Sequence, residues 1–248
     1  MLTEQRYEQI LRLLGEKKSI TVTEVKELLN TSESTVRRDI TALHNAGKLV
    51  KVFGGAVAVD NSIYTARELT VAQKLEVNQE EKRRIAKYAA SLIAPEDFVY
   101  LDAGTTTGYM LEYIVEKNVT FVTNAVAHAQ RLLTLGNRVF LVGGELKAST
   151  EAIVGSQAMQ TLASYHFTKG FFGTNGVTKS AGFTTPDVNE ALVKKLALNQ
   201  CRKKYVLCDT TKFGNVSSVT FGDFEDADII SEQIPEGYEG CKNILAVN

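Results

Sequence analysis

The sequence predicts an α/β protein in two parts: an N-terminal winged helix–turn–helix and a C-terminal domain built on a mostly parallel βα sheet. Three observations carry this. A capped amphipathic pattern at Ser32–Leu43 is preceded by two helical patterns and followed by a glycine-linked hairpin pattern. From Phe98 onward, β-branched and aromatic runs alternate with helical ones, as parallel strands joined by crossover helices do. A polar stretch rich in Glu, Gln and Lys separates the two. The expected boundaries are 1–59 for the first domain, 60–79 for a linker and 80–248 for the second.

In the first domain Thr3 can cap a helix whose stripe is Tyr7, Ile10, Leu11 and Leu14, ending near Gly15 to Lys18. Ile20-Thr21-Val22 is short and β-branched. Thr23 is expected to cap a second helix, Glu24 to Leu29, and Asn30-Thr31 to turn the chain. Ser32 then caps the third helix, where Val36, Ile40 and Leu43 share one face. Gly47 suits the left-handed position that ends it. Leu49 to Phe53 and Ala56 to Val59 make two strands about Gly54-Gly55. Two helices across a tight turn place the later one to read a DNA major groove. Ser34, Thr35, Arg37, Arg38 and Thr41 form its exposed set, and Lys48 and Lys51 at the hairpin base can reach phosphates. The plainer alternatives are a solvated surface helix and, for the whole unit, a three-helix fold that mediates protein contacts.

Net charge is −1, so the whole molecule is no polycation; residues 1–59 carry nine Lys/Arg against seven Asp/Glu, the remainder 19 against 22. Local placement of arginine therefore matters more than bulk charge. A chain that is 44% hydrophobic and 23% charged reads as soluble and globular. Cys201, Cys208 and Cys241 include no CxxC pair, which argues against a disulfide framework and for a reducing interior. The N-terminus lacks a signal-peptide pattern and no apolar run would span a membrane, so a cytoplasmic protein is expected. His44, His128 and His166 show no ligand spacing; no metal and no cofactor are expected.

In the second domain, a helix opens at Glu80, buries Ile85, Ala89, Leu92 and Ile93, and stops before Pro95. Strands follow at 98–102, 119–123, 138–142, 169–173 and 204–209, with short ones at 227–230 and 243–247. Helices fall at 106–116, 125–135, 155–164 and 187–201. In such sheets ligands bind at the C-terminal strand ends, and the polar residues collect there. Asp102 precedes Gly104, Thr105, Thr106 and Thr107, where glycine permits close approach, hydroxyls donate and a helix start favours an anion. The segment is neither a P-loop nor GxGxxG, and could be only a tight βα turn. Other strand ends supply Asn124, Gly144 with Lys147, Gly173 with Asn175 and Gly176, Glu190 near a helix start, and Asp209 with Lys212. Convergence of small, hydroxyl, amide and lysine side chains on one edge marks a small-molecule pocket.

Arg6, Ile10 and Leu14, then Ser32, Thr35, Val36, Arg37, Arg38, Asp39 and Ile40, resemble the DNA-binding signature of the DeoR family. The resemblance implies a bacterial transcriptional regulator, usually a repressor, with a sugar-phosphate-sensing second domain. Residues of about 75–235 are similar to that sensor domain, which is in turn similar to ribose-5-phosphate isomerase. Two departures stand out. Where the isomerase places paired aspartates, this chain has Asn175 and Val177, and an amide is no general base. Glu190 stands where the isomerase has its base, and Asp209 and Lys212 match its D-x-x-K segment. Where the family usually has Arg after the Gly-Gly pair, this chain has Lys147, a point charge rather than a fork.

The expectation is a repressor of a sugar-utilisation operon. It binds operator double-stranded DNA as a homodimer or homotetramer, since one helix–turn–helix reads a half-site. A phosphorylated sugar would modulate it. The alternatives are an active sugar-phosphate isomerase with a DNA-binding appendage, and an interaction module with a vestigial pocket.

Overall fold

The computed structural model describes residues 3–17, 19–46, 48–52, 54–58 and 70–247, in two compact units that divide between residues 62 and 63. Gly47, Phe53, Val59 and the linker residues 60–69, to which the sequence assigns a helix end, strand residues and a connector, lie outside the described residues.

The first unit runs α1 (Thr3–Lys17), β1 (Ser19–Thr21), α2 (Val22–Leu29), α3 (Glu33–Asn45), β2 (Leu49–Val52) and β3 (Gly55–Ala58). Its sheet is antiparallel in the order β1-β3-β2. Ile10, Leu14, Val25, Val36, Ile40, Leu43 and Leu49 bury together, so the helical stripes and the hairpin share one core. The cap of α2 is Thr21, not Thr23. Thr21 and Glu24 form a reciprocal capping box, which no Glu or Gln three residues on allows Thr23 to make. Ser32 caps α3 as its sequence suggests, its hydroxyl accepting from the Thr35 N–H at 3.2 Å. Gly55 is required by close approach: a Cβ there would stand 2.1 Å from the Ile20 carbonyl oxygen.

The second unit begins with α4 (Val71–Leu75) and α5 (Gln79–Ser91). It continues β4 (Phe98–Leu101), α6 (Thr105–Met110), β5 (Thr120–Thr123), α7 (Val126–Thr134), β6 (Arg138–Leu141), β7 (Glu145–Leu146), β8 (Ile153–Val154), α8 (Ser156–Ala163) and β9 (Phe167–Gly173). Then come β10 (Gly176–Thr178), β11 (Gly182–Thr185), α9 (Val188–Asn199), β12 (Cys201–Leu207), a 3-10 turn (Thr210–Lys212), β13 (Val219–Gly222), β14 (Asp228–Ser231) and β15 (Ile244–Ala246).

Seven strands pair in parallel in the order β15-β14-β12-β9-β4-β5-β6. Both faces of the central strands are covered, while the edge strand β6 stays largely exposed. Phe171 joins Val99, Leu101, Tyr205 and residues of α5 and α6 on one face, while its neighbour Phe172 joins Tyr100, Val206 and residues of α8 and α9 on the other. Burial on both faces is why these strands read as apolar runs rather than alternations. Three elements go beyond the sequence expectation: α4, the hairpin β7–β8, and the antiparallel sheet β10-β11-β13. Helix α6 is also shorter than the 106–116 expected, giving way after Met110 to turns.

Candidate functional site

Two sites are built. On the first unit α3 presents exposed Ser34, Arg37 and Arg38 with half-buried Thr35 and Thr41. Not all five are equally free. The Ser32 hydroxyl lies 2.8 Å from that of Ser34 and 2.9 Å from that of Thr35. Arg37 pairs with Glu33 one turn back, at 2.5 Å. The Thr41 hydroxyl donates to the Arg37 carbonyl (2.7 Å) and accepts from Lys51 Nζ (2.8 Å). Thr41 is thus a joint between α3 and the hairpin, and Lys51 holds the wing to it. Lys48 and Arg38 are exposed. Asp39, on the buried face, receives Arg6 through two bonds, 2.6 Å from Nε and 3.0 Å from Nη2. Of the Arg-Arg-Asp run, two residues face outward and the third locks α1 to α3.

On the second unit a pocket opens at the C-terminal ends of β4, β9 and β12. Of the residues singled out above, Gly104, Thr105, Thr106, Gly173, Asn175, Glu190, Asp209 and Lys212 line it. Glu190 is buried, and its Oε1 accepts from Lys147 Nζ (3.1 Å) and from the Thr150 hydroxyl; Lys147 also lies 3.3 Å from Asp187. Asp209 Oδ1 accepts from the Thr211 N–H and hydroxyl and from Asn78 Nδ2 (3.0 Å).

Six expected residues lie under or beside the pocket rather than in its lining. Asp102 is fully buried, ion-paired to Lys194 and accepting from the Gly173 N–H; burial pushes its carboxyl up, against the pull of Lys194. Thr107 spends its hydroxyl on the Asp102 and Gly104 carbonyls, fixing the βα turn. Asn124 accepts from the Ala103 N–H and donates to the Ile153 carbonyl, so its amide is consumed by backbone. Gly144 is exposed in the loop before β7, where a Cβ would meet the Val154 carbonyl oxygen at 2.5 Å. At buried Gly176 a Cβ would meet the Asn215 carbonyl oxygen at 2.3 Å. These glycines serve chain packing. Lys147 is at the rim, engaged by Glu190.

The pocket also draws in residues not singled out from sequence: Lys74, Lys82, Thr150, Thr174 and Lys194. Lys82 is buried on α5, and its ammonium donates to the Lys74 carbonyl. Burial pulls its pKa down to about 8, Asp209 works the other way, and Lys212 and Lys74 add to the fall. Its signal in the sequence is faint: it lies three residues before Ile85, on the same helical face, inside a charged first turn. Next to the pocket, His128 is buried with Nδ1 unpartnered among the described residues, and burial pulls its pKa down to about 4. Among the described residues no group of His, Cys, Asp and Glu could hold a metal, and no helix is long and apolar enough to cross a membrane.

A winged helix–turn–helix carrying arginines on its outer face, in one chain with a polar pocket on a parallel sheet, defines a ligand-responsive DNA-binding regulator. Comparison with known proteins makes the assignment specific. Residues 6–62 match the DeoR-like helix-turn-helix domain and residues 77–233 the DeoR C terminal sensor domain. The chain belongs to the DeoR family of transcriptional regulators. It is 39% identical over 237 residues to the "Uncharacterized HTH-type transcriptional regulator FruR" of Bacillus subtilis, covering 95% of this chain and 93% of that one. It is 38% identical over 224 residues to the "Lactose phosphotransferase system repressor" of Staphylococcus aureus, covering 89% and 88%. Among solved structures, ribose 5-phosphate isomerase A from Methanocaldococcus jannaschii is similar over 55% of each chain, at 15% identity and a TM-score of 0.42.

Proposed function

We propose that this regulator represses a sugar-utilisation operon and that a phosphorylated sugar, bound in the pocket of the second unit, changes its affinity for operator DNA. The observation that carries the ligand class is charge: Lys194 is matched by Asp102 beneath the pocket and Glu190 by Lys147 at the rim, and the rest of the charged lining is Lys74, Lys82 and Lys212 with Asp209. That positive balance suits a phosphate monoester, which carries about −1.5 to −2 at neutral pH. Thr105, Thr106 and Thr150 add hydroxyls, and Asn175 and Glu190 offer groups that a sugar hydroxyl can meet. The name of the staphylococcal relatives supports sugar uptake as the regulated process. On the DNA side the contacting set is Ser34, Thr35, Arg37, Arg38 and Thr41, with Lys48 and Lys51 at phosphates. The operator is read by a homodimer or homotetramer in the cytoplasm.

The same residues favour binding over turnover: Asn175 cannot take a proton, and Glu190 is engaged by Lys147 and Thr150. Calorimetric titration of the full chain with hexose and pentose phosphates tests this reading. Heat and a rise in melting temperature are expected for a phosphorylated sugar and not for its free sugar. Silence across the panel contradicts the effector site, and turnover of ribose 5-phosphate would favour the isomerase.

A further inference from the structure

Helix α4 lies ahead of the sensor fold proper, in the segment that the sequence marks as linker, yet it forms a wall of the pocket: Val71 and Lys74 line it, as does Val77 in the turn that follows. The helix is five residues long and buries none of them. What holds it is a set of hydrogen bonds, each to an element that bounds the pocket. The Val71 N–H donates to the Ser149 carbonyl (3.3 Å), in the loop between β7 and β8. The Tyr109 hydroxyl, on α6, donates to the Leu75 carbonyl (3.2 Å). Lys82, on α5, donates to the Lys74 carbonyl.

Asn78 is the most telling of these anchors. It occupies the N-cap of α5 in the left-handed region (φ 52, ψ 45) and makes no side-chain cap bond. An asparagine there ordinarily serves the helix. Here its amide instead donates to Asp209 Oδ1 (3.0 Å) and to the Thr211 hydroxyl (3.2 Å), across the pocket rim. On its other side α4 borders a mostly apolar cavity of about 260 Å³, where Val71 and Leu75 face Leu111, Ala125 and His128. A short helix with little buried surface, an adjoining cavity and its anchors on binding-site groups belongs to the low-stability end of a fold, from which moving elements are drawn.

We propose that α4 is a ligand-responsive strap of the effector site and that Asn78 is the positioning residue that latches it to Asp209. The proposal rests on the effector reading above. An anion among Lys74, Lys82 and Lys212 bridges α4 to α5 and to the turn after β12, and so clamps the segment that continues toward the DNA-binding unit. A ligand shifts an equilibrium only by its differential interactions with the two states, and Lys74 supplies such an interaction from the strap itself.

Hydrogen exchange of the full chain, with and without inorganic phosphate and the sugar phosphates of the same panel, tests this. Peptides over 70–78 should slow on ligand addition. Asn78→Gly keeps the left-handed backbone accessible and removes the amide; Asn78→Asp sets a carboxylate against Asp209. Both variants should speed exchange over 70–78 in the ligand-free chain. Both should also cut the ligand-induced change in operator affinity by about fivefold or more, the scale of a typical coupling. Calorimetric affinity for the ligand should change less than that. Protection confined to the segments around 82, 103–106 and 212, or a full operator response in both variants, overturns the strap while leaving the effector site standing. Exchange over 70–78 that neither variant alters overturns the latch whether or not ligand binds. A wild-type chain that binds no phosphate defeats the effector reading and the clamp together.

Discussion

Arg6 and Asp39 form a two-bond ion pair across the core edge of the DNA-binding unit, Nε to Oδ2 at 2.6 Å and Nη2 to Oδ1 at 3.0 Å. Asp39 is 3% exposed. Helix α3 is therefore oriented by a charge on its hidden face, and Arg37 and Arg38 on its outer face are positioned by that lock. Asp39→Asn keeps the volume and removes the charge. It should lower the melting midpoint of the first unit by on the order of 10 °C, the loss of roughly one charge-assisted bond in a small domain. Calorimetric scanning should show the second unit's transition unmoved.

Arg38 is exposed and Arg37 is balanced by Glu33 in the free protein. Replacing both arginines by alanine should weaken operator binding and reduce the slope of log affinity against log salt by about 1 to 2, at roughly 0.9 for each phosphate no longer neutralised. Anisotropy titrations across a salt series measure both. An unchanged slope would remove α3 from the phosphate-binding surface.

Lys82 supports an anion only while protonated, and burial brings its pKa down to about 8. Affinity for a sugar phosphate should therefore fall as pH rises through about 8, well below the range in which an exposed lysine titrates. Lys82→Gln should bind more weakly at pH 7 and lose that part of the pH dependence. Calorimetry between pH 6.5 and 9.5 gives the curve; a wild-type affinity flat over this range would exclude Lys82 from the site.

His128 gives a separate signature in stability. Its ring is buried with Nδ1 unpartnered among the described residues, and its pKa falls from 6.5 to about 4. The unfolded chain then binds more protons than the folded one between these values. Stability is complete above pH 6.5 and declines as pH falls toward 4, by about 3 kcal/mol in all. His128→Gln should flatten that part of a urea-denaturation pH profile. A wild-type profile flat between pH 6.5 and 4.5 would contradict the buried neutral ring.

Much of the architecture is legible in the chain because local rules agree with the tertiary outcome. Ser32 and the spacing of Val36, Ile40 and Leu43 define α3 before any tertiary packing is known. Apolar runs such as Val99-Tyr100-Leu101 and Phe171-Phe172 signal strands covered on both faces. The small strands β10 (Gly-Val-Thr) and β11 (Gly-Phe-Thr-Thr) escape notice because three or four residues carry no usable period. The pocket is legible as a place and less so as a set of residues. Strand ends point to Gly104, Asn175 and Asp209, but Asp102 and Asn124 at equivalent ends turn inward, one to Lys194 and one to backbone. Lys82 and Lys194 sit in helices where lysine is ordinarily a solvated residue. Only the packing of α4 over one and the burial of Asp102 beside the other make them part of a site.

The central claim is that the pocket and the reading helix are thermodynamically coupled, and one titration addresses it directly. Operator DNA is titrated with the full chain in the presence and absence of each phosphorylated sugar of the panel, at fixed salt. At least one should shift the operator dissociation constant by about 5- to 150-fold, the range of ordinary coupling energies, while its unphosphorylated parent leaves the constant unchanged. An operator affinity indifferent to every phosphorylated sugar, in a chain that binds one of them by calorimetry, would contradict the coupling.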